Sequence, residues 1–251
     1  MVACEEREIC IVVGFRAWAS AFGAGQRASV SWVSGRFTAR GGRAVRSVGV
    51  LNETFRRAQK KALAGYKVSP YVAPERFAEA LNPTMVAISL SGEPTCYSRL
   101  PELVDGLNAE GYTTFLVSNG TRPEVLGRCR PYQTYVSLDA PDRETYLRLC
   151  RPKEDYWDLV LESLAGLAGR RSAIRTTLVR GYNDFAPERY AAIYQDSGAR
   201  FVEVKGYMYL GYSRNRLLRE QMPEHAEIRE FSEMVSQHSD YFIKDESPLS
   251  R

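Results

Sequence analysis

No run in these 251 residues approaches the roughly 18–20 consecutive apolar residues that a membrane-crossing helix needs. No membrane partner is therefore expected, and the location is expected to be cytoplasmic. Histidine is almost missing: His225 and His238 are the only two, with no Ser/His/Asp arrangement and no zinc spacing around them. The five cysteines (Cys4, Cys10, Cys96, Cys129, Cys150) are odd in number and form no framework pattern, which excludes a small disulfide-stapled scaffold and suits a reducing compartment. Lysine is scarce, six against 28 arginines, and no acidic residue falls between Glu8 and Glu53 although Arg16, Arg27, Arg36, Arg40, Arg43 and Arg46 do. What remains is ordinary: 44% hydrophobic and 25% charged residues, a net charge of +4 and enough chain for one large domain or two modest ones.

The acid-poor front, residues 1–50, shows neither a sustained helical period nor clean strand alternation. It reads as an atypical extension outside the main fold, as an arginine-rich transit peptide or as an RNA-binding arm. From residue 51 the texture changes. Asn52 is placed to cap a helix carrying Phe55, Leu63 and Tyr66, and Pro74 suits the first turn of a helix reaching Leu81. Apolar runs at residues 85–90, 113–117, 135–138, 174–179 and 201–204 then alternate with amphipathic stretches. The first of these carries Leu100, Leu103, Val104 and Leu107 and stops at Gly111. A long helix follows the third strand, with Trp157, Val160, Leu161, Leu164 and Leu167 on one stripe. The last helix starts near Pro223, with Ile228, Phe231, Met234 and Val235 inward. Alternating strands and helices mean βα units and a parallel sheet, whose chemistry gathers at the carboxyl ends of the strands.

Those ends are polar or small. The first gives Gly92, Glu93 and Pro94, the second Ser118, Asn119 and Gly120, the third Ser137 and Asp139, the fourth Arg180, Gly181, Tyr182 and Asn183, and the fifth Glu203, Lys205 and Tyr207. Gly92 and Gly120 permit positive φ and close backbone approach, and Glu93 and Asp139 are acceptors suited to an ammonium group or ribose hydroxyls. Any one of these loops could be plain turn chemistry; together they favour a polar small-molecule site.

The run ISLSGEPTCYSRLPELVDGLNAEGYTTFLVSNGTRPEVL, followed by TYVSLDAPDRETYLRLCRP, RTTLVRGYND and FVEVKGYMYLGYSRNRL, resembles the archaeal-type tRNA 4-demethylwyosine synthases of the radical S-adenosylmethionine (SAM) class. The resemblance covers roughly residues 51–251. It implies an α/β fold, a partial (β/α)6 TIM-like barrel lacking its first βα unit in this chain, with SAM and a [4Fe–4S] cluster as cofactors. The implied reaction converts N1-methylguanosine in tRNA(Phe) to 4-demethylwyosine with pyruvate. An electron from a donor such as a flavodoxin-type protein cleaves SAM, and the resulting radical takes hydrogen from the N1-methyl group. By the same resemblance Gly92, Glu93 and Pro94 would meet the methionine moiety of SAM, and Ser118, Asn119, Ser137 and Asp139 its nucleoside side. Lys205, Tyr207, Arg214 and Arg216 would lie near substrate or tRNA phosphate.

One departure is plain. The C-x3-C-x2-C triplet that holds such a cluster is not in the sequence, residues 1–50 contain no lysine to engage pyruvate, and no residue is assigned as a metal ligand or as catalytic. Cys96, Cys129 and Cys150 read as ordinary thiols in separate βα units. The expectation is therefore either a synthase whose N-terminal part is incomplete or altered, or a relative that binds tRNA or a partner without catalysis.

Overall fold

In the computed structural model the described residues are 7–12, 30–33, 48–89 and 92–247. In chain order they form β1 (Arg7–Val12), β2 (Val30–Val33), α1 (Val48–Leu63), α2 (Pro74–Leu81), β3 (Met85–Ile88), α3 (Leu100–Ala109), β4 (Thr113–Ser118) and α4 (Pro123–Leu126). There follow β5 (Gln133–Ser137), α5 (Arg143–Cys150), α6 (Trp157–Ala165), β6 (Ser172–Leu178), α7 (Pro187–Ser197), β7 (Phe201–Gly206), α8 (His225–Gln237) and β8 (Tyr241–Ser247). The chain divides into two units: Ala24–Ser118 with Glu124–Thr134, and Met1–Gly23 with Asn119–Pro123 and Tyr135–Arg251.

In the first unit β2, β3 and β4 run parallel, Val30 pairing with Met85 and Met85 with Thr113. Strand β3 is buried along Val86, Ala87 and Ile88, and α3, packed against β4, buries Leu100, Leu103, Val104 and Leu107, the i, i+3, i+4, i+7 face that the sequence predicts. Gly111 follows at φ +85°, the left-handed geometry that ends a helix cheaply only at glycine.

In the second unit β7 lies between β6 and β1, and β1 pairs in parallel with β8. Helices α7 and α8 pack through aromatic rings. Tyr190 meets Phe231 edge-on at 5.4 Å and Tyr194 meets Tyr241 at 6.3 Å. The three phenols of this packing have partners: Tyr190 donates to the Asn183 carbonyl at 3.2 Å, Tyr194 shares a 2.6 Å bond with Thr176 Oγ1, and Tyr241 donates to the Ala199 carbonyl. That satisfies the polar ends which burial would otherwise penalise.

All five expected strands form, as β3 to β7, and β1, β2 and β8 join them. Strands β1 and β2 come from the segment expected to lie outside the fold. Two local expectations are corrected. The long helix after β5 is two helices, α5 and α6, because Pro152 cannot continue the ladder and Arg151 before it turns left-handed at φ +50°. Helix α1 starts at Val48, so Asn52 lies inside it and not at its cap, while Tyr66 stands exposed in a 3-10 turn beyond its end.

Candidate active site

In the first unit the loop after β3 is tied to the end of β4 by one carboxylate. Gly92 turns the chain at φ +83°, and Glu93, extended as a residue before proline prefers, caps the short 3-10 turn Pro94–Cys96. Glu93 Oε1 accepts from the Thr95 amide at 3.1 Å, from Thr95 Oγ1 at 2.7 Å and from Ser118 Oγ at 2.8 Å. Pro94, Thr95 and Ser118 are buried. Four sequence-predicted residues, Gly92, Glu93, Pro94 and Ser118, thus share one hydrogen-bonded corner at the carboxyl ends of β3 and β4.

In the second unit Asn119 closes an Asx turn, its Oδ1 accepting from the amide and hydroxyl of Thr121 at 3.0 and 2.8 Å. Gly120 at φ +73° leaves no room for a side chain: a Cβ would sit 3.0 Å from Val136 Cγ1, and its carbonyl accepts from Ser163 Oγ at 2.6 Å.

The larger constellation lies on one face of β5, β6 and β7. Side chains two apart along a strand share a face, which groups Tyr135, Ser137 and Asp139, then Arg175 and Thr177, then Glu203 and Lys205. The register sets Arg175 beside Glu203 and Thr177 beside Lys205. The opposite face carries Val136 and Leu138, Ile174, Thr176 and Leu178, and Val202 and Val204, all buried. Arg175 Nη2 and Nε donate to Glu203 Oε2 at 2.9 and 3.2 Å, and the guanidinium lies 4.8 Å from the Tyr135 ring centre. Glu203 is 3% exposed, so this is a buried ion pair.

Asp139 continues the same face beyond β5, its Oδ1 accepting from the Thr177 amide at 2.7 Å. Fully buried Asn183 fastens this edge: Nδ2 donates to the carbonyls of Asp139 and Thr177 at 2.8 and 2.9 Å, and Oδ1 accepts from the Val179 amide at 2.6 Å. Desolvation pushes the Asp139 carboxyl above the ordinary range, against the Thr177 amide bond and the charges of Lys205 and Arg175. Desolvation and then the Arg175 charge pull Lys205 below the ordinary lysine range. Among the described residues Lys205 makes no hydrogen bond and no ion pair.

These directions give a signed expectation. A carboxyl whose folded value is raised contributes stability that is present at low pH and lost as pH climbs through that value. Asp139→Asn keeps the Oδ1 acceptor and removes the buried charge. The variant should melt above the wild type at pH 7, with the difference shrinking towards pH 4, as thermal scans across that window would read.

Of the remaining predicted residues, Tyr207 is buried beside Leu149, Val179 and Leu217, and its hydroxyl has no hydrogen-bond partner among the described residues. Arg214 and Arg216 are exposed; Arg216 Nη1 donates to the Leu149 carbonyl at 3.2 Å.

Set beside known proteins, residues 54–192 match the radical SAM superfamily and residues 196–251 match a family described as wyosine base formation. The Methanocaldococcus jannaschii tRNA 4-demethylwyosine synthase is 42% identical over 204 residues, 80% of this chain and 65% of that protein. The Pyrococcus horikoshii synthase is 45% identical over 78% of this chain and 60% of its own length. A structure of TYW1 with a lysine–pyruvate adduct bound superposes with a TM-score of 0.77 at 38% identity, over 85% of this chain and 70% of that one. The chain belongs to the tRNA 4-demethylwyosine synthase family of radical SAM proteins. It spans less than two thirds of the length of the two archaeal synthases. The α/β fold is of the radical SAM type that the resemblance implied.

Radical SAM membership brings SAM and a [4Fe–4S] cluster as cofactors. The described thiols do not fit the cluster. Cys96 is exposed on its own turn, Cys129 is buried with Sγ donating to the Val125 carbonyl at 3.4 Å, and burial pushes Cys150 up to about 12, far from the thiolate a cluster iron takes. No group of three potential metal ligands occurs among the described residues. Cys4 lies outside those residues, and the side chain of Cys10 on β1 is not among those described. The Glu93 corner does fit the amino-acid end of SAM. An ionised carboxylate has about four acceptor sites, suited to an ammonium group, beside a glycine-turned backbone that a ligand can approach.

Sequence reasoning missed Arg175, Thr177, Glu203 as an ion-pair member, and the fastening role of Asn183, which it placed only at the end of the fourth strand. The signal was available for two of them: SAIRTTL sets one charge, Arg175, and FVEVK sets Glu203 and Lys205 two apart, in otherwise buried strands, and a charge there needs a partner.

Proposed function

We propose that this chain takes part in a radical SAM reaction of the lyase type, forming 4-demethylwyosine from N1-methylguanosine in tRNA(Phe) with pyruvate as the second substrate. The observation that carries the reading is the unpaired Lys205 ammonium beside Thr177 on the polar face of β5 to β7, within a family whose named members carry this activity. By the family resemblance Gly92, Glu93 and Pro94 would take the methionine moiety of SAM, and Ser118, Asn119, Ser137 and Asp139 its nucleoside. When bound, SAM supplies hydrogen abstraction at carbon, chemistry outside the reach of protein side chains.

The chain's own groups have simpler tasks. Lys205 Nζ binds the carboxylate of pyruvate. Asp139, its Oδ1 engaged by Thr177, holds or releases a proton at Oδ2. The Arg175–Glu203 pair and Asn183 keep the three strand ends in register. Arg214 and Arg216 serve the tRNA, and buried Tyr207 anchors the segment that carries them.

The test is anaerobic treatment with iron and sulfide, an iron count, and nucleoside analysis of N1-methylguanosine-bearing tRNA(Phe) after incubation with SAM, pyruvate, a reductant and an electron donor. Pyruvate-dependent 4-demethylwyosine supports the proposal. Iron held at one cluster per chain with N1-methylguanosine unchanged contradicts it. The poor fit of the described thiols favours one second reading, a family member that binds tRNA without catalysis, for which tRNA binding without iron uptake is the signature.

A further inference from the structure

The segment leaving β7 is anchored at both ends and bare in the middle. Tyr207 and Leu217 are buried against Leu149 and Val179, with Tyr182, Tyr209 and Met222 packed around them. Between the anchors Leu210, Tyr212 and Leu218 are 62%, 91% and 64% exposed. The bare stretch is nevertheless ordered by its own bonds. Gly211–Asn215 form a 3-10 turn, Arg216 and Leu217 donate their amides to the Ser213 carbonyl at 2.9 Å, and Ser213 Oγ donates to the Leu210 carbonyl at 2.5 Å. Tyr212 therefore stands on a fixed backbone with its ring in solvent, and among the described residues it makes no ring–ring and no cation–π contact. A large ring exposed to that degree gains nothing from the fold itself.

Cationic side chains gather around it, and the acids nearby are engaged elsewhere or turned to solvent. Arg214 is exposed beside it, and Arg216 reaches across to the Leu149 carbonyl at the end of α5. At that same end Arg148, Arg151 and Lys153 are exposed or partly exposed; Arg148 donates to the Tyr182 carbonyl at 2.9 Å with its guanidinium 5.8 Å from that ring's centre. None of these five cations makes an ion pair with a carboxylate of the described residues. The nearby acids are occupied or outside the cluster: Asp155 pairs with Arg143, Asp184 accepts from the Gly181 amide, and Glu154 and Glu220 face solvent. An unneutralised cationic surface calls for a polyanion, and a bare aromatic ring set within it calls for a polyanion with exposed π faces. Unpaired nucleic acid has both; a duplex hides its bases in the stack.

We infer that Tyr212 is a stacking platform for one unpaired base of an RNA loop, with Arg148, Arg151, Lys153, Arg214 and Arg216 holding the flanking phosphates. This rests on the tRNA reading and deepens it, since it assigns the contact to loop nucleotides and not to a stem. The test is fluorescence anisotropy with the full chain and two labelled RNAs, the tRNA(Phe) anticodon stem-loop and a duplex of equal length. Tyr212→Ala should weaken stem-loop binding by about 5- to 150-fold, leave duplex binding unchanged and melt as the wild type does, while Tyr212→Trp restores the affinity. Arg214→Gln should weaken both RNAs and flatten the salt dependence by about 0.7–0.9 in the log–log slope. Unchanged stem-loop affinity in Tyr212→Ala, or an equal loss on stem-loop and duplex, overturns the stacking role while the tRNA reading survives. If the wild type binds neither RNA, the tRNA reading fails and the inference with it.

Discussion

Glu203→Ala is expected to lower the melting temperature by about 6–20 °C, because it removes one partner of a buried ion pair and leaves the other in place. Breaking such a pair costs about 3–5 kcal/mol, and each kcal/mol moves the midpoint of a chain this size by about 2–4 °C. The geometry puts Arg175 in that regime. Its Nε and Nη2 both donate to the one oxygen Oε2, its side chain is 16% exposed and Glu203 only 3%. Without Glu203 the guanidinium keeps the Tyr135 ring beneath it and loses the one ion pair it makes among the described residues, with Lys205 two residues along the neighbouring strand adding repulsion. Glu203→Gln keeps an acceptor and should fall between the two. The exposed pair Arg57–Glu53, at 78% and 71%, is the contrast: Glu53→Ala should shift the midpoint by about 1–2 °C at most. A change that small for Glu203 would show that the pair does not hold β6 to β7.

The second large effect has the opposite sign on stability. Lys205→Met should leave the melting temperature unchanged or raise it, while weakening pyruvate binding by about 10- to 150-fold, the range for one charge-assisted hydrogen bond. The stability sign follows from the direction of the shift. A lysine whose folded value is lowered contributes stability that is fully present above the unfolded value and lost as pH falls through the folded one. Holding the ammonium form in the fold therefore costs free energy, and methionine of similar length relieves that cost. The functional sign follows from the lack of a hydrogen-bonded partner among the described residues: Asp139 and Glu203 act on this ammonium through their charge alone, which leaves its N–H donors for a ligand. Thermal scans with and without pyruvate read both at once, and the ligand-induced shift of the wild type should be missing from the variant. A clear drop in midpoint without ligand would mark Lys205 as a structural residue.

The strands and most helices were legible because their signal is local. Residues 85–88 and 113–118 are apolar on both faces and can only be strands covered by helices, and Leu100, Leu103, Val104 and Leu107 repeat at the helical period. The α5–α6 break was also written locally, in Arg151-Pro152, and was overridden by the strength of the stripe from Trp157 onward. At the site, the Glu93 corner was partly legible: Gly-Glu-Pro-Thr signals a turn, but only the fold brings Ser118, 25 residues away, onto the same carboxylate. The Arg175–Glu203 and Asp139–Thr177 contacts were not legible as pairs. Each strand shows its own alternation, and which charge meets which depends on the register of β6 against β7, a property of two segments 28 residues apart. Asn183 was hidden for a different reason. Asn in a Gly-Tyr-Asn-Asp stretch looks like turn chemistry, and its three bonds to β-strand edges exist only once those edges are side by side.

Saturation-transfer NMR on pyruvate most directly tests the central claim, that the polar face of β5 to β7 is a substrate site and not simply an internal charge network. It detects millimolar binding and needs no bound metal. The wild type should transfer saturation to the pyruvate methyl group, Lys205→Met should not, and Lys244→Met on the exposed part of β8 should behave as the wild type. No transfer in the wild type, or equal transfer in Lys205→Met, would contradict the assignment.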